Sequence, residues 1–200
     1  YHAVRSTITG SYNDPEAEAK MAQAEALFAE GRYQEAQTTF ADLADNTHNP
    51  QLLGEKARFL EAECLRERGK LHEAVTHYHR QLQDHPTGPN RERACGRIYE
   101  VAYKWLEETT LADIEAELAG KKKPWHERLV KSLPAPRDES RPLLDGESEA
   151  VKYLEIAHTH DPLGPVADKA LFWCGYVCFY RGNFEDADHH FSQLVEMHKG

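Results

Sequence analysis

AEALFAEGRYQEAQTTF at residues 24–40 aligns without a gap with AECLRERGKLHEAVTHY at 62–78, and again with GYVCFYRGNFEDADHHF at 175–191. Anchored on Gly31, Gly69 and Gly182, the same residue types recur at fixed offsets. A small residue stands seven before the glycine (Ala24, Ala62, Gly175), and Leu27, Leu65 or Cys178 four before it. Tyr33, Leu71 or Phe184 follows two after it, Ala36, Ala74 or Ala187 five after, and Phe40, Tyr78 or Phe191 nine after. Self-similarity of this kind is the mark of a repeat architecture.

The offsets describe a helical hairpin. Small residues in the first helix and at the start of the second let two helices approach closely, and a ring four residues after each Ala fills the same face. The glycine supplies the left-handed cap that stops the first helix. Pro86 and Asp161-Pro162 close second helices, since proline cannot continue one. A degenerate copy lies between the second and last units: Cys95-Gly96 and Tyr99 serve its first helix, and Ala150, Leu154, Ala157 and Pro162 its second.

These residues resemble tetratricopeptide repeats, whose pattern is small residue, Leu, Gly-x-aromatic, Ala, aromatic and terminal Pro. The first unit departs from it, with His48 where Pro is expected and Pro50 two later, and the usual early Trp is missing. The resemblance implies an all-α fold, a right-handed superhelical solenoid of about four hairpins. The units are expected at about 17–50, 55–88, 89–106 joined to 147–165, and 168–200, after an N-terminal extension over 1–16. A non-repeat helical bundle is the bland alternative.

The period breaks between Glu107 and Gly146, inside the third hairpin. ADIEAELAGKKK continues a helix to about Ala119, acidic residues first and lysines last, as the macrodipole favours. The stretch beyond it carries four prolines and reads as a loop with one short helix near Trp125–Leu133. Loops this long are commonly functional or disordered. Lys121, Lys122, Lys123, Arg128, Lys131, Arg137 and Arg141 make this insertion, 107–146, a basic island. It reads either as a solvated excursion or as a docking element for an acidic partner.

With 34 acidic and 24 basic residues among 200, the net charge is −10. That field repels phosphate backbones and argues against nucleic acid. No apolar run approaches the roughly 18 residues that a membrane-spanning helix needs. The chain begins Tyr1-His2-Ala3 without Met, and is expected to be a processed or shortened product.

Twelve histidines invite a metal reading. Yet His77 and His190 occupy equivalent repeat positions, as do His85 and His198, which is what structural positions give. Zinc needs three or four converging ligands, so no metal ligand and no cofactor is assigned. Cys174 and Cys178 share a helical face, but they replace packing positions of the other units; Cys64 and Cys95 also lie in apolar stretches. No P-loop, G-x-S-x-G, H-E-x-x-H or G-x-G-x-x-G occurs, and no catalytic residue is assigned.

A binding surface remains. First helices line the concave side of such a solenoid, presenting Met21, Glu25 and Phe28; Phe59, Glu63 and Arg66; Arg93, Arg97 and Glu100; and Phe172, Tyr176, Phe179 and Tyr180. Aromatics and arginines are the types enriched at interface hot spots. The partner-binding set is therefore Phe59, Arg66, Arg93, Arg97, Phe172, Tyr176 and Tyr180, a mixed apolar and cationic lining suited to extended segments with carboxylates and rings. In LFWCGYVCFY, Trp173 or Phe179 is expected in the core. The apolar last unit is expected to be exposed or buried in a homo-oligomer.

The degenerate period, the insertion and the phrases DADHHFSQLVEMH and DPLGPVADKALFW resemble the bacterial cell-envelope branch of these repeats. That branch includes the BamD-like lipoprotein of the outer-membrane β-barrel assembly machinery and the periplasmic division-coordinating proteins. The resemblance implies a periplasmic, outer-membrane-associated scaffold, held by an N-terminal lipid and binding segments of other proteins. A cytosolic adaptor or co-chaperone is the competing reading, and a His-rich metal-binding accessory the third.

Overall fold

The computed structural model describes residues 14–120, 146–197 and 199. Their regular structure is helical, with no strand among the described residues. Nine α-helices are described: α1 Pro15–Ala29, α2 Tyr33–Asp45, α3 Gln51–Glu67, α4 Leu71–Asp84, α5 Arg91–Leu106, α6 Ala112–Leu118, α7 Gly146–His160, α8 Ala167–Tyr180 and α9 Phe184–Met197. A π-helical turn, Glu107–Leu111, joins α5 to α6. The chain divides into two compact units, one ending at Asn90 and the other starting at Arg91.

In the first unit α1 packs on α2, α2 on α3 and α3 on α4. In the second, α5 packs on α7, α7 on α8 and α8 on α9. Each unit is thus a run of antiparallel hairpins. Gly31, Gly69 and Gly182 all take the left-handed conformation, at φ 77, 76 and 81°. The amide after each glycine bonds back across the turn: Arg32 to the Leu27 carbonyl at 2.9 Å, Lys70 to Leu65 at 3.0 Å and Asn183 to Cys178 at 2.9 Å. This six-to-one bond closes a helix terminus, so the position four before each glycine recurs for its carbonyl as well as its side chain.

The alanines five residues after each glycine are buried, as are Ala24 and Ala62 seven before two of them. Phe40 and Tyr78 are wholly enclosed. The degenerate hairpin follows suit, with Cys95, Ala150, Leu154 and Ala157 buried between α5 and α7. Helix α1 starts earlier than the extension 1–16 allows. Pro15 opens it, and the Asp14 side chain accepts from the amides of Glu16 at 3.0 Å and Ala17 at 3.4 Å, satisfying donors that a helix start leaves free.

Helix α3 buries charge as well as apolar surface. Arg58 donates from Nη2 to Asp45 at 2.5 Å and from Nη1 to Glu61 at 3.1 Å. Glu55 accepts from Gln81 Nε2 at 2.8 Å, from the Asn90 amide at 3.0 Å and from Asn90 Nδ2 at 2.8 Å. One carboxylate thereby ties the turn after α4 to α3. In the second unit Arg91 reaches Asp161 at 3.1 Å, fixing the start of α5 to the turn after α7.

The basic island and the short helix near Trp125–Leu133 lie outside the described residues. The helical continuation after Glu107 is present, running through the π turn to Leu118.

Candidate binding face

Three expected partner-binding residues have other work. Phe59 is only 1% exposed and packs its ring 5.6 Å from that of Tyr78. It is a core residue, because α3 buries ten of its side chains or backbone positions instead of a single stripe. Arg66 is ion-paired with Glu63 at 3.1 Å and also with Glu67. Arg97 donates to Glu100 at 2.9 Å, one turn away. The cationic lining is therefore largely neutralised by local carboxylates. Arg93 is exposed on α5, about a quarter-turn from the helix face that carries the rings.

The rings are brought together. On α5, Tyr99 and Tyr103 are one turn apart and stack at 5.9 Å. Tyr103 meets Trp173 of α8 at 5.3 Å, and Trp173 meets Tyr176 at 5.7 Å. Phe172 lies 5.1 Å from Trp173 and 6.0 Å from Tyr176, and approaches Phe191 of α9 at 6.3 Å. Six rings from three helices thus form one unbroken run within the second unit. Edge-to-face and offset pairs of this kind are favourable beyond the area they bury, so the run is a preformed surface.

The run is not core. Phe172 is 42% exposed, and Tyr99, Tyr103, Trp173, Tyr176 and Phe191 are each half-buried. Burial pushes the Tyr99 phenol above its ordinary value, while the Trp173 side chain, as a hydrogen-bond partner, pulls the other way. Tyr180 stands at the end of the same α8 stripe, but its hydroxyl donates to Glu117 of α6. Phe179 corrects the expectation of burial: it is 58% exposed and pairs with Phe184 at 5.5 Å.

The repeat pattern does not single out Tyr99 and Tyr103 for binding. Their signal is the i, i+4 spacing of two rings on a first helix, together with the ring-rich helix at the equivalent place in the next hairpin. Ile98 and Ala102, each next to one of these tyrosines in the chain, and Leu171, next to Phe172, are fully buried.

His189 and His190 stand with ring centroids 5.7 Å apart. His77 lies 3.2 Å from Glu61, and His190 lies 3.4 Å from Glu155. Among the described residues no group of three or more His, Cys, Asp or Glu side chains is placed to hold a metal ion. A cleft of about 400 Å³ between α7, α8 and α9 is lined by Glu155, Cys178, Arg181, Asp186 and His190 among others. Cys64 and Cys95 are pushed up to about 12 by burial, and Cys174 is raised further for the same reason. Thiols of that kind are packing groups, not nucleophiles.

No family model matches the chain, and no curated protein matches it. A solved structure described as "MamA RS-1 ArsTM double mutant" is 19% identical over 92% of this chain and 96% of that one, with a TM-score of 0.41. An overlay that loose adds nothing to what the helices themselves show.

Proposed function

We propose that this chain is a non-enzymatic protein-interaction module that captures extended polypeptide segments on the ring face of α5 and α8. The observation that carries the reading is the run Tyr99–Tyr103–Trp173–Tyr176, half-exposed and continuous across two hairpins. Large apolar groups exposed side by side mark interaction sites, and Tyr and Trp combine an apolar body with a polar edge. A peptide backbone laid over the rings finds apolar area and hydroxyl groups together.

The test is binding of the full chain to an array of unfolded peptide segments. Tyr103→Ala combined with Tyr176→Ala is expected to weaken capture at least about tenfold, as loss of two anchors would, with the helical circular dichroism unchanged. Capture that survives this pair of substitutions assigns binding to another face.

The finer setting we propose is the bacterial cell envelope, with the chain as a lipid-tethered periplasmic scaffold in outer-membrane protein assembly or envelope organisation. The repeat style supports it, and so does the burial of Cys64, Cys95 and Cys174, which shields free thiols in an oxidising compartment. Fractionation of the native protein decides between this setting and a cytosolic adaptor. The exposed pair Phe179 and Phe184 supports association of the last hairpin with a second copy, which light scattering against concentration tests.

A further inference from the structure

We infer that the segment taken by the ring face is cationic, an extended polypeptide stretch bearing lysine or arginine side chains. The inference rests on the reading of that face as a polypeptide site and adds the charge of the partner.

The rim of the face is acidic. Glu92, seven residues before Tyr99, continues the ring stripe of α5 at its start, because residues at that spacing share a helix face, and Glu107, four after Tyr103, opens the π turn just past its end. Both are exposed, and neither is ion-paired among the described residues. On the α8 side, Asp168 lies close enough to Tyr99 to act on its hydroxyl electrostatically. Glu117 holds the far end through Tyr180.

The cations of α5 are turned away or engaged. Arg93, Arg97 and Lys104 sit about a quarter-turn or more from the ring stripe. Arg97 is paired with Glu100 at 2.9 Å, and Lys104 faces Glu108 at 3.9 Å. Among the described residues Lys169 alone joins the α8 end of the face, one residue from Asp168. Among the described residues, a carboxylate or phosphate arriving here meets Glu92, Glu107 and Asp168 against one lysine.

A cationic side chain meets two attractions at once. Tyrosine and tryptophan faces attract ammonium and guanidinium groups through the ring quadrupole, and the rim carboxylates add their negative charge. The stem of a lysine or arginine lies along apolar surface while its head stays in water, which matches rings bordered by carboxylates. At longer range the net charge of −10 steers cationic segments inward and anionic ones away.

The experiment titrates the full chain with synthetic peptides of about twelve residues built from Lys-Pro, Gln-Pro or Glu-Pro repeats, whose prolines keep them extended. Lys-Pro is expected to bind at least about tenfold more tightly than Gln-Pro, with an affinity that falls as salt rises, and Glu-Pro not to bind measurably. The triple variant Glu92→Gln, Glu107→Gln, Asp168→Asn is expected to abolish the preference for Lys-Pro over Gln-Pro. Tyr103→Ala with Tyr176→Ala is expected to lose both peptides.

If Gln-Pro or Glu-Pro binds as tightly as Lys-Pro and the ring substitutions weaken it, the cationic assignment is wrong while the polypeptide site stands. If Lys-Pro binds and the ring substitutions leave it unchanged, the attraction is diffuse, and both readings fall. Self-association through the rings that no peptide displaces assigns the face to a second copy and overturns both.

Discussion

A Cβ added at Gly175 would stand 2.7 Å from Cε1 of Phe191, inside the contact distance of two carbon atoms. In the first two hairpins the equivalent small residue is an alanine, Ala24 or Ala62, and the ring at the matching position is Phe40 or Tyr78. An added methyl at Gly175 would meet the Phe191 ring, so the ring or the helix has to shift to admit it.

Gly175→Ala should therefore destabilise the second unit despite alanine's better helix propensity. Overpacking a tight contact costs about 1–3 kcal/mol, and Gly→Ala in a helix interior returns roughly 0.5–1 kcal/mol. The net loss is about 1 kcal/mol, read as a lowered melting temperature. Phe191→Leu in the same chain should recover much of it, since the two changes act on one contact. A Gly175→Ala protein that melts above the parent would show that Phe191 moves aside freely.

Glu55 is the hinge pin of the first unit's last turn. Its carboxylate is 1% exposed and takes three hydrogen bonds from Gln81 and Asn90. Glu55→Ala leaves those donors without their acceptor and should cost roughly 2 kcal/mol or more, measured by urea unfolding. Glu55→Asp, too short to reach both partners, should fall between the two. A loss within experimental error for Glu55→Ala would mean that water replaces the carboxylate without penalty.

The hairpins are legible in the sequence because a repeat constrains backbone and packing at the same offsets. Gly31, Gly69 and Gly182 needed only their periodicity to be read as left-handed caps. Burial is less legible, for a physical reason. Phe59 sits on a first helix at a position that a single-stripe picture turns outward, but α3 packs against more than one helix and encloses it. Arg66 and Arg97 are engaged by carboxylates on their own helices. Glu63-x-x-Arg66 and Arg97-x-x-Glu100 are one-turn pairs already visible in the sequence. Tyr103 meeting Trp173 joins residues seventy positions apart, and no local pattern predicts that.

Stability should decline on acidification in two separate windows. Burial, reinforced by His190, holds the His158 imidazole below its ordinary value of 6.5, and burial does the same to His160. Below pH 6.5 the unfolded chain takes up protons that the folded one refuses, so stability falls as pH drops from that value toward the depressed one. Asp45 behaves as a carboxylate. The hydrogen bond from Arg58 holds it below its ordinary 3.8, so its contribution is intact above that value and is lost as pH falls further. His158→Leu should shrink the first window to the share that His160 supplies and leave the second. A stability profile level from pH 7 to 5 would remove the histidine effect.

Thiol reactivity should rank the four cysteines by burial. Cys178 is half-buried, and its thiol is raised by burial first and then by Asp186, Glu155 and Glu147. Cys64, Cys95 and Cys174 are fully enclosed. Since the thiolate is the reacting species, an aromatic disulfide reagent at mildly alkaline pH should modify Cys178 first and slowly. The other three should react only as the protein unfolds. Rapid modification of Cys174 in the native state would show that α7 and α8 open readily.

Tyr176 and Tyr180 share a stripe of α8, yet substitution should separate them. Tyr176 carries two ring contacts in the exposed run, to Phe172 at 6.0 Å and Trp173 at 5.7 Å, so Tyr176→Ala removes binding area. Tyr180 gives its hydroxyl to Glu117, and that bond ties α6 and the π turn back to α8. Tyr180→Phe keeps the ring and deletes only the tether. It should leave peptide affinity within about twofold of the parent, since a change of that size lies below what a lost anchor produces. It should also raise amide hydrogen exchange over residues 107–118, because segments with few tertiary bonds open first. Glu117→Gln should give the same exchange signature while keeping the side chain's volume. If Tyr180→Phe weakens peptide binding as much as Tyr176→Ala does, its hydroxyl belongs to the binding face, and the tether to Glu117 is secondary.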